Sequence, residues 1–244
     1  MPKQVGEMHT HRNTSVVCVV AGLVVGAGVL SACSGARDTT TAADPGETPL
    51  ASASPQVPPA DMVMPQEAGR YAFTTDSDLD HSYLITMDVP RGWDGSGGNG
   101  HVIGKGSGQG ISAWGGRNVY ADPCAWQGTL ADPSVDSAVN DLVAALADQK
   151  GRHATAPTNV TLDGYNGKYI ELTTPAGIDL AACDEGQFRS WVGRFTEPGQ
   201  RDMLWIVDVD GEPLVIDAAL GKGTTRQDRV ERTQIAQSTQ IQPL

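Results

Sequence analysis

Acid–base and nucleophilic chemistry need titratable or nucleophilic side chains at fixed spacing, and this sequence holds few such patterns. Beyond residue 32, histidine occurs only at His81, His101 and His153, in three unrelated contexts, and neither His-Glu-x-x-His nor Gly-x-Ser-x-Gly is present. Chain order is silent on a Ser/His/Asp set assembled from distant positions. Asp76, Asp78 and Asp80 imitate the start of a calcium loop, but the glycine position holds His81 and the bidentate-glutamate position holds Met87. A solvated acidic turn is the expectation there, and no metal site. Glu171, Asp179, Asp184, Glu185, Asp208 and Asp217 could supply the paired carboxylates of a glycan-active enzyme, provided two of them lie about 5–9.5 Å apart in a pocket. From Asp94 to Gly116 the chain is rich in glycine, a composition that lets several N–H groups converge on an anion. The phosphate-loop and dinucleotide patterns both fail, since Lys105 is followed by Gly106 and Gln109 stands where a third glycine belongs. With little to bury, this stretch is expected to be a mobile surface loop with weak strand candidates at 102–103 and 111–114. No cofactor is implied.

Cysteine carries the strongest local signal. Lys3 and Arg12 precede fifteen small or apolar residues, Val16 to Leu30, which run directly into Leu30-Ser31-Ala32-Cys33. Fifteen helical residues reach roughly 22 Å, short of a hydrocarbon core of about 30 Å, so a removable leader fits better than a permanent span. The Leu-Ser-Ala-Cys order resembles the bacterial lipoprotein signal, which implies cleavage after residue 32 and a diacylglyceryl group on Cys33. The alternative is a cysteine that merely ends a secretory or membrane segment. Cys18 leaves with the leader, so Cys124 and Cys183 remain, and outside the cytoplasm a lone pair in one domain is expected to form a disulfide. No Cys-x-x-Cys spacing supports redox chemistry.

The elements that must position these groups occupy residues 70–244. Residues 33–69 are rich in Thr, Ala, Ser and Pro and show no hydrophobic period, so they read as a flexible tether of roughly 33 Å end to end. The chain carries 17 basic and 29 acidic side chains, a net charge of −12. Electrostatic capture of nucleic acid is therefore not expected. Removing residues 1–32 leaves 15 basic and 28 acidic side chains, net −13, a body repelled by an anionic bilayer rather than laid flat on it.

Within the domain the hydrophobic pattern has mostly period two. Strands are expected at 82–89, 188–195 and 238–241, and hairpins at 160–173 around Asp163–Gly167 and at 203–219 around Asp210-Gly211. Residues 133–150 change period, with Val135, Val139, Leu142, Val143 and Leu146 on one helical face, Asp132 as N-cap and Lys150-Gly151 at the end. A more polar helix is expected over 225–237, buried through Val230, Ile235 and Ala236. The order implies an α+β domain, a mainly antiparallel sheet with two flanking helices.

The stretches Val119–Trp126, Asp163–Tyr169, Cys183 with Arg189-Ser190-Trp191, and Leu204–Gly211 resemble a group of actinobacterial extracytoplasmic lipoprotein domains. More loosely, the closing hairpin, helix and strand resemble the PsbP-like fold. The resemblance implies a sheet-and-helix layout and makes the cysteine pair and tryptophans structural; it transfers no active site.

These readings converge on a lipid-anchored protein at the extracytoplasmic face of the cell membrane, acting as a binding or interaction domain for an envelope protein or small molecule and carrying no catalytic set. Trp126, Trp191 and Trp205 are the candidate ligand-lining residues, near the expected disulfide. The alternatives are an enzyme acting on envelope lipids or glycans, and a passive component of an envelope assembly.

Overall fold

Two Asp-Gly pairs set the sheet, because a two-residue hairpin turn needs positive φ at both of its central positions. Asp210 (φ 54°) and Gly211 (φ 91°) provide it once, Asp163 (φ 49°) and Gly164 (φ 85°) again. A computed structural model describes residues 68–75, 81–96, 101–103, 110–130 and 138–244, all within the compact unit Ala51–Leu244. The first Asp-Gly pair joins β11 (Arg201–Val209) to β12 (Glu212–Leu220), and the second joins β7 (Thr158–Leu162) to β8 (Tyr165–Thr173). The second turn is shorter than the five residues expected, since Asp163 and Gly164 alone reverse the chain and β8 starts at once.

The remaining strands are β1 (Gly69–Thr74), β2 (Tyr83–Val89), β3 (Asp94–Ser96), β4 (His101–Ile103), β5 (Gly110–Gly115), β6 (His153–Ala154), β9 (Arg189–Trp191), β10 (Arg194–Phe195) and β13 (Gln240–Pro243). The large sheet runs β3-β4-β5-β12-β11-β8-β6, with β7 also paired to β8; β1-β2-β13 and β9-β10 form two small sheets. Every pairing is antiparallel. With helices α1 (Val139–Ala147) and α2 (Arg226–Gln237), the domain is α+β, as the periodicity predicts.

Both faces of the large sheet are covered. On one face Leu142, Val143 and Leu146 of α1 pack on Trp114, Ile170, Leu172, Leu204, Ile206 and Val215. On the other, Ile235 and Ala236 of α2 join Phe73, Tyr83, Ile85 and Met87 of the small sheet over Met203, Trp205, Val207, Leu214 and Ile216. This double cover explains why β12 is buried along its whole length instead of alternating. Gly167 of β8 allows the close approach of β11: a Cβ there would sit 1.9 Å from the Ile206 carbonyl oxygen.

Several expectations need correcting. The weak strand candidates at 102–103 and 111–114 are strands, β4 and β5, so these parts of the Gly-rich stretch are ordered and not a mobile loop; β5 pairs with β12 and buries Ile111, Ala113 and Trp114. Its small residues fit between two covered faces, and its order comes from β12. The first helix is described from Val139, with Ala138 as N-cap, while Asp132 lies outside the described residues. Residues 188–195 form a hairpin instead of one strand, reversing at Val192-Gly193 (Gly193 φ 77°). In α2, Thr225 and Asp228 form a capping box, but Val230 is 47% exposed and Arg232 takes its place inside. Arg232 lies over the Trp93 ring at 5.2 Å, its aliphatic stem covering apolar surface.

Candidate functional site

Cys33, Asp76, Asp78 and Asp80 lie outside the described residues. Cys124 and Cys183 form a disulfide (S–S 2.00 Å, Cα–Cα 4.4 Å) that ties the loop after β5 to the turns before β9. Around it the Asp184 N–H donates to the Cys124 carbonyl (2.8 Å) and the Trp126 indole N–H to the Asp184 carbonyl (3.1 Å). The Arg189 guanidinium lies over the Trp126 ring at 3.9 Å. The three candidate tryptophans do not share a cleft. Trp126 is half-buried beside the disulfide segment, Trp191 stacks on Trp114 (centroids 4.3 Å apart) in the α1-side core, and Trp205 packs on Tyr169 (4.9 Å) in the opposite core. Strand alternation separates them, since Trp205 points the other way from Leu204 and Ile206 on β11. Trp191 and Trp205 are thus core residues on opposite faces of the sheet, and Trp126 packs against the disulfide segment.

Most of the carboxylates serve local structure. Asp179 accepts from the Ala181 N–H (3.1 Å), Asp184 from the Gln127 N–H (2.9 Å) and Asp208 from the Gly211 N–H (2.8 Å), while Glu185 lies 3.9 Å from Arg189. Asp217 is different. It is fully buried on β12, on the same sheet face as Asp202 of β11, and Arg194 of the β9–β10 hairpin reaches both (3.2 and 3.7 Å). Arg152 holds Asp202 at 2.5 Å and donates to Ser190 Oγ (2.7 Å) and the Leu172 carbonyl (3.2 Å). Neither Asp217 oxygen accepts a hydrogen bond. Burial, reinforced by Asp202 and opposed by Arg194 and Arg152, pushes the Asp217 carboxyl up to about 7. Both carboxylates are sealed from solvent, so the cluster clamps the hairpin to the sheet.

Glu171 anchors a second assembly, and this one reaches the surface. It lies on β8, on the α2 side, and accepts from the Tyr169 hydroxyl (2.7 Å) and both terminal nitrogens of Arg229; Arg201 is 3.7 Å away. Its backbone N–H donates to Thr155 Oγ1 (2.9 Å). Burial alone would raise its pKa, but hydrogen bonds from Arg229 and Tyr169 and the charges of Arg229 and Arg201 hold it below the usual carboxylate range. Burial and the neighbouring Glu171 push the Tyr169 hydroxyl up.

Arg201 and Arg229 open onto a cleft of about 410 Å³ that Lys222, Arg226, Thr224 and Thr225 also line, with Leu220 and Ala176 as apolar wall. Four basic side chains line it and no acidic one does. A larger groove of about 820 Å³ lies between α2 and the β1–β2 pair and is mixed in charge, with Arg70, Asp88 and Glu231 around the exposed Val230. Sequence reasoning missed both the cleft and Asp202. The run Lys222-Gly223-Thr224-Thr225-Arg226-Gln227-Asp228-Arg229, basic within an acidic chain, was the available signal.

Among the described residues no group of three or more His, Cys, Asp or Glu could hold a metal ion, and no helix is long and apolar enough to cross a membrane. His81 lies 3.4 Å from Glu212 and His153 is on β6, so they belong to separate places in the fold.

No family model matches the chain, and no curated protein does. Among solved structures it is similar to LpqN of Mycobacterium tuberculosis, a protein involved in cell envelope biogenesis (TM-score 0.40, 13% identity, covering 72% of this chain and 92% of that one). It is also similar to the cyanobacterial PsbP of Synechocystis (TM-score 0.33, 16% identity, 72% and 93% covered). Both similarities are distant, and the α+β layout stands on this chain's own strand order.

Proposed function

We propose that this chain is a lipid-anchored, extracytoplasmic binding domain of the cell envelope that takes its ligand in the cleft at the start of α2 and does not turn it over. The leader ending at Cys33 supports the anchor, residues 33–69 the standoff from the bilayer, and the Cys124–Cys183 bridge an oxidising compartment. One observation carries the binding reading: the cleft gathers four cations with no lining acid. A general acid or base needs a group free to exchange a proton near the working pH. Glu171, the carboxylate behind Arg201 and Arg229, is occupied by Arg229 and Tyr169 and held ionised, which suits it to orienting arginines and not to proton transfer, and Asp228 is engaged in the capping box with Thr225. The Asp202–Asp217 pair is what favours the enzyme reading, and its full burial argues against that role.

The test uses the full chain expressed in a bacterium that processes lipoproteins. A clickable palmitate analogue labels the wild type and leaves Cys33→Ala blank, and equilibrium dialysis against an envelope extract retains a small molecule on the wild type but not on Arg201→Ala/Arg229→Ala. Equal labelling of both chains overturns the anchor, and retention by neither chain overturns the binding reading.

A further inference from the structure

We infer that the cleft at the start of α2 is a phosphate site, an assignment of ligand class that rests on the binding reading above. The chain has 17 basic residues against 29 acidic ones, yet four of the 17 line this single cleft. Arg226 and Arg229 stand three apart on one helix, where side chains are neighbours, and Glu171 partners Arg229 alone of the two. Lys222 and Arg226 are exposed and have no carboxylate partner among the described residues, so the domain's own acids leave their charge unmet. An acidic protein that concentrates unneutralised cations in a concave place has built an attractive potential for an anion there.

The type of cation narrows the class. Three of the four are arginines, whose planar forks match the paired oxygens of phosphate, and Lys222 adds a point charge. Arg201 and Arg229 are oriented before any ligand arrives, because the buried Glu171 holds both and is itself fixed by Tyr169 and Thr155. Such preorganisation lowers the ordering cost of binding. Several backbone and hydroxyl groups at the cleft are occupied elsewhere. The capping box uses the Thr225 and Asp228 N–H groups, and the Thr224 hydroxyl donates to the Gly221 carbonyl (2.6 Å). The four charged side chains favour a compact, multiply charged group over a monocarboxylate. The volume of about 410 Å³ admits a phosphate with a glycerol- or sugar-sized substituent, which Leu220 and Ala176 would flank.

A phosphate of this kind could be a free phosphomonoester or the phosphodiester of a lipid headgroup, and calorimetry on the full chain in neutral maltoside micelles separates the two. The titrants are inorganic phosphate, glycerol 3-phosphate, dihexanoyl phosphatidylglycerol and, as a carboxylate control, citrate. Lys222→Glu/Arg226→Glu is the test variant, because both side chains are exposed and its thermal midpoint should match the wild type. Saturable binding of glycerol 3-phosphate or of the short-chain lipid, weakened about tenfold or more by the double variant, supports the inference and identifies the source of the phosphate. Binding of citrate but no phosphate compound overturns the phosphate class and leaves the binding reading standing. Phosphate binding that the double variant does not weaken places the site elsewhere and overturns the inference. If no titrant binds, the inference fails, and the extract dialysis described above decides separately whether the cleft binds anything.

Discussion

Replacing Asp217 with asparagine should change how stability depends on pH. The carboxyl moves from an ordinary 3.8 to about 7 in the fold, chiefly by burial. A folded-state pKa above the unfolded value means that between these two pH values the folded chain holds a proton the unfolded chain lacks. Stability from this group is therefore fully present below about pH 4, falls as pH rises towards 7, and is flat above that. At about 1.4 kcal/mol per unit, the interval from pH 5 to pH 7 costs the wild type roughly 3 kcal/mol through Asp217 alone. The charged groups around it are Arg194, Asp202 and Arg152, and the arginines stay charged across this range. An asparagine amide in its place has no proton to lose, so Asp217→Asn should gain roughly 3 kcal/mol on the wild type between pH 5 and pH 8, whatever constant offset the substitution adds. Urea unfolding of both chains with the disulfide intact, at half-unit steps of pH, measures it; with a slope of about 1–3 kcal/mol per molar, the relative midpoint moves by a molar or more. If the two chains differ by the same amount at pH 5 and pH 8, Asp217 is ionised in the fold throughout and the argument is wrong.

Glu171→Gln should behave in the opposite sense. The Glu171 carboxyl is held low, so its contribution exists above its unfolded pKa of about 4.5 and is lost as pH falls through the lower folded value. The variant should be less stable than the wild type by about 1–3 kcal/mol at pH 7, with the gap closing below pH 4, as thermal unfolding at the two pH values would show. Gly167→Ala puts a methyl group against the Ile206 carbonyl and should cost about 3 kcal/mol or more, read as a lower urea midpoint; an unchanged midpoint would mean that β8 and β11 are not so close.

The parts of the fold that were legible are those whose cause is local. An Asp-Gly pair demands its turn wherever it stands, and the period of 139–147 is helical in itself. The Gly-rich strand β5 was legible only as a weak candidate over 111–114, because little within it drives order; its pairing with β12 does. Arg232 was opaque for a related reason, since its burial depends on the Trp93 ring from a distant segment. Asp202, one residue into β11, reads in sequence as a solvated strand end, and only the approach of Arg152 and Arg194 reveals it as interior. The cleft joins the start of β11 to a loop and a helix, so its charges are adjacent in space while Arg201 stands 21 positions before Lys222 in the chain.

The position of β1 decides how the domain answers a pull. It is the outer strand of a three-stranded sheet, joined to β2 by the six residue pairs from Gly69 to Thr74. Force applied at Gly69 meets this seam before it meets the β8–β11–β12 sheet. A pull at Gly69 therefore loads the six β1–β2 pairs first, while the Cys124–Cys183 cross-link lies in a different part of the fold.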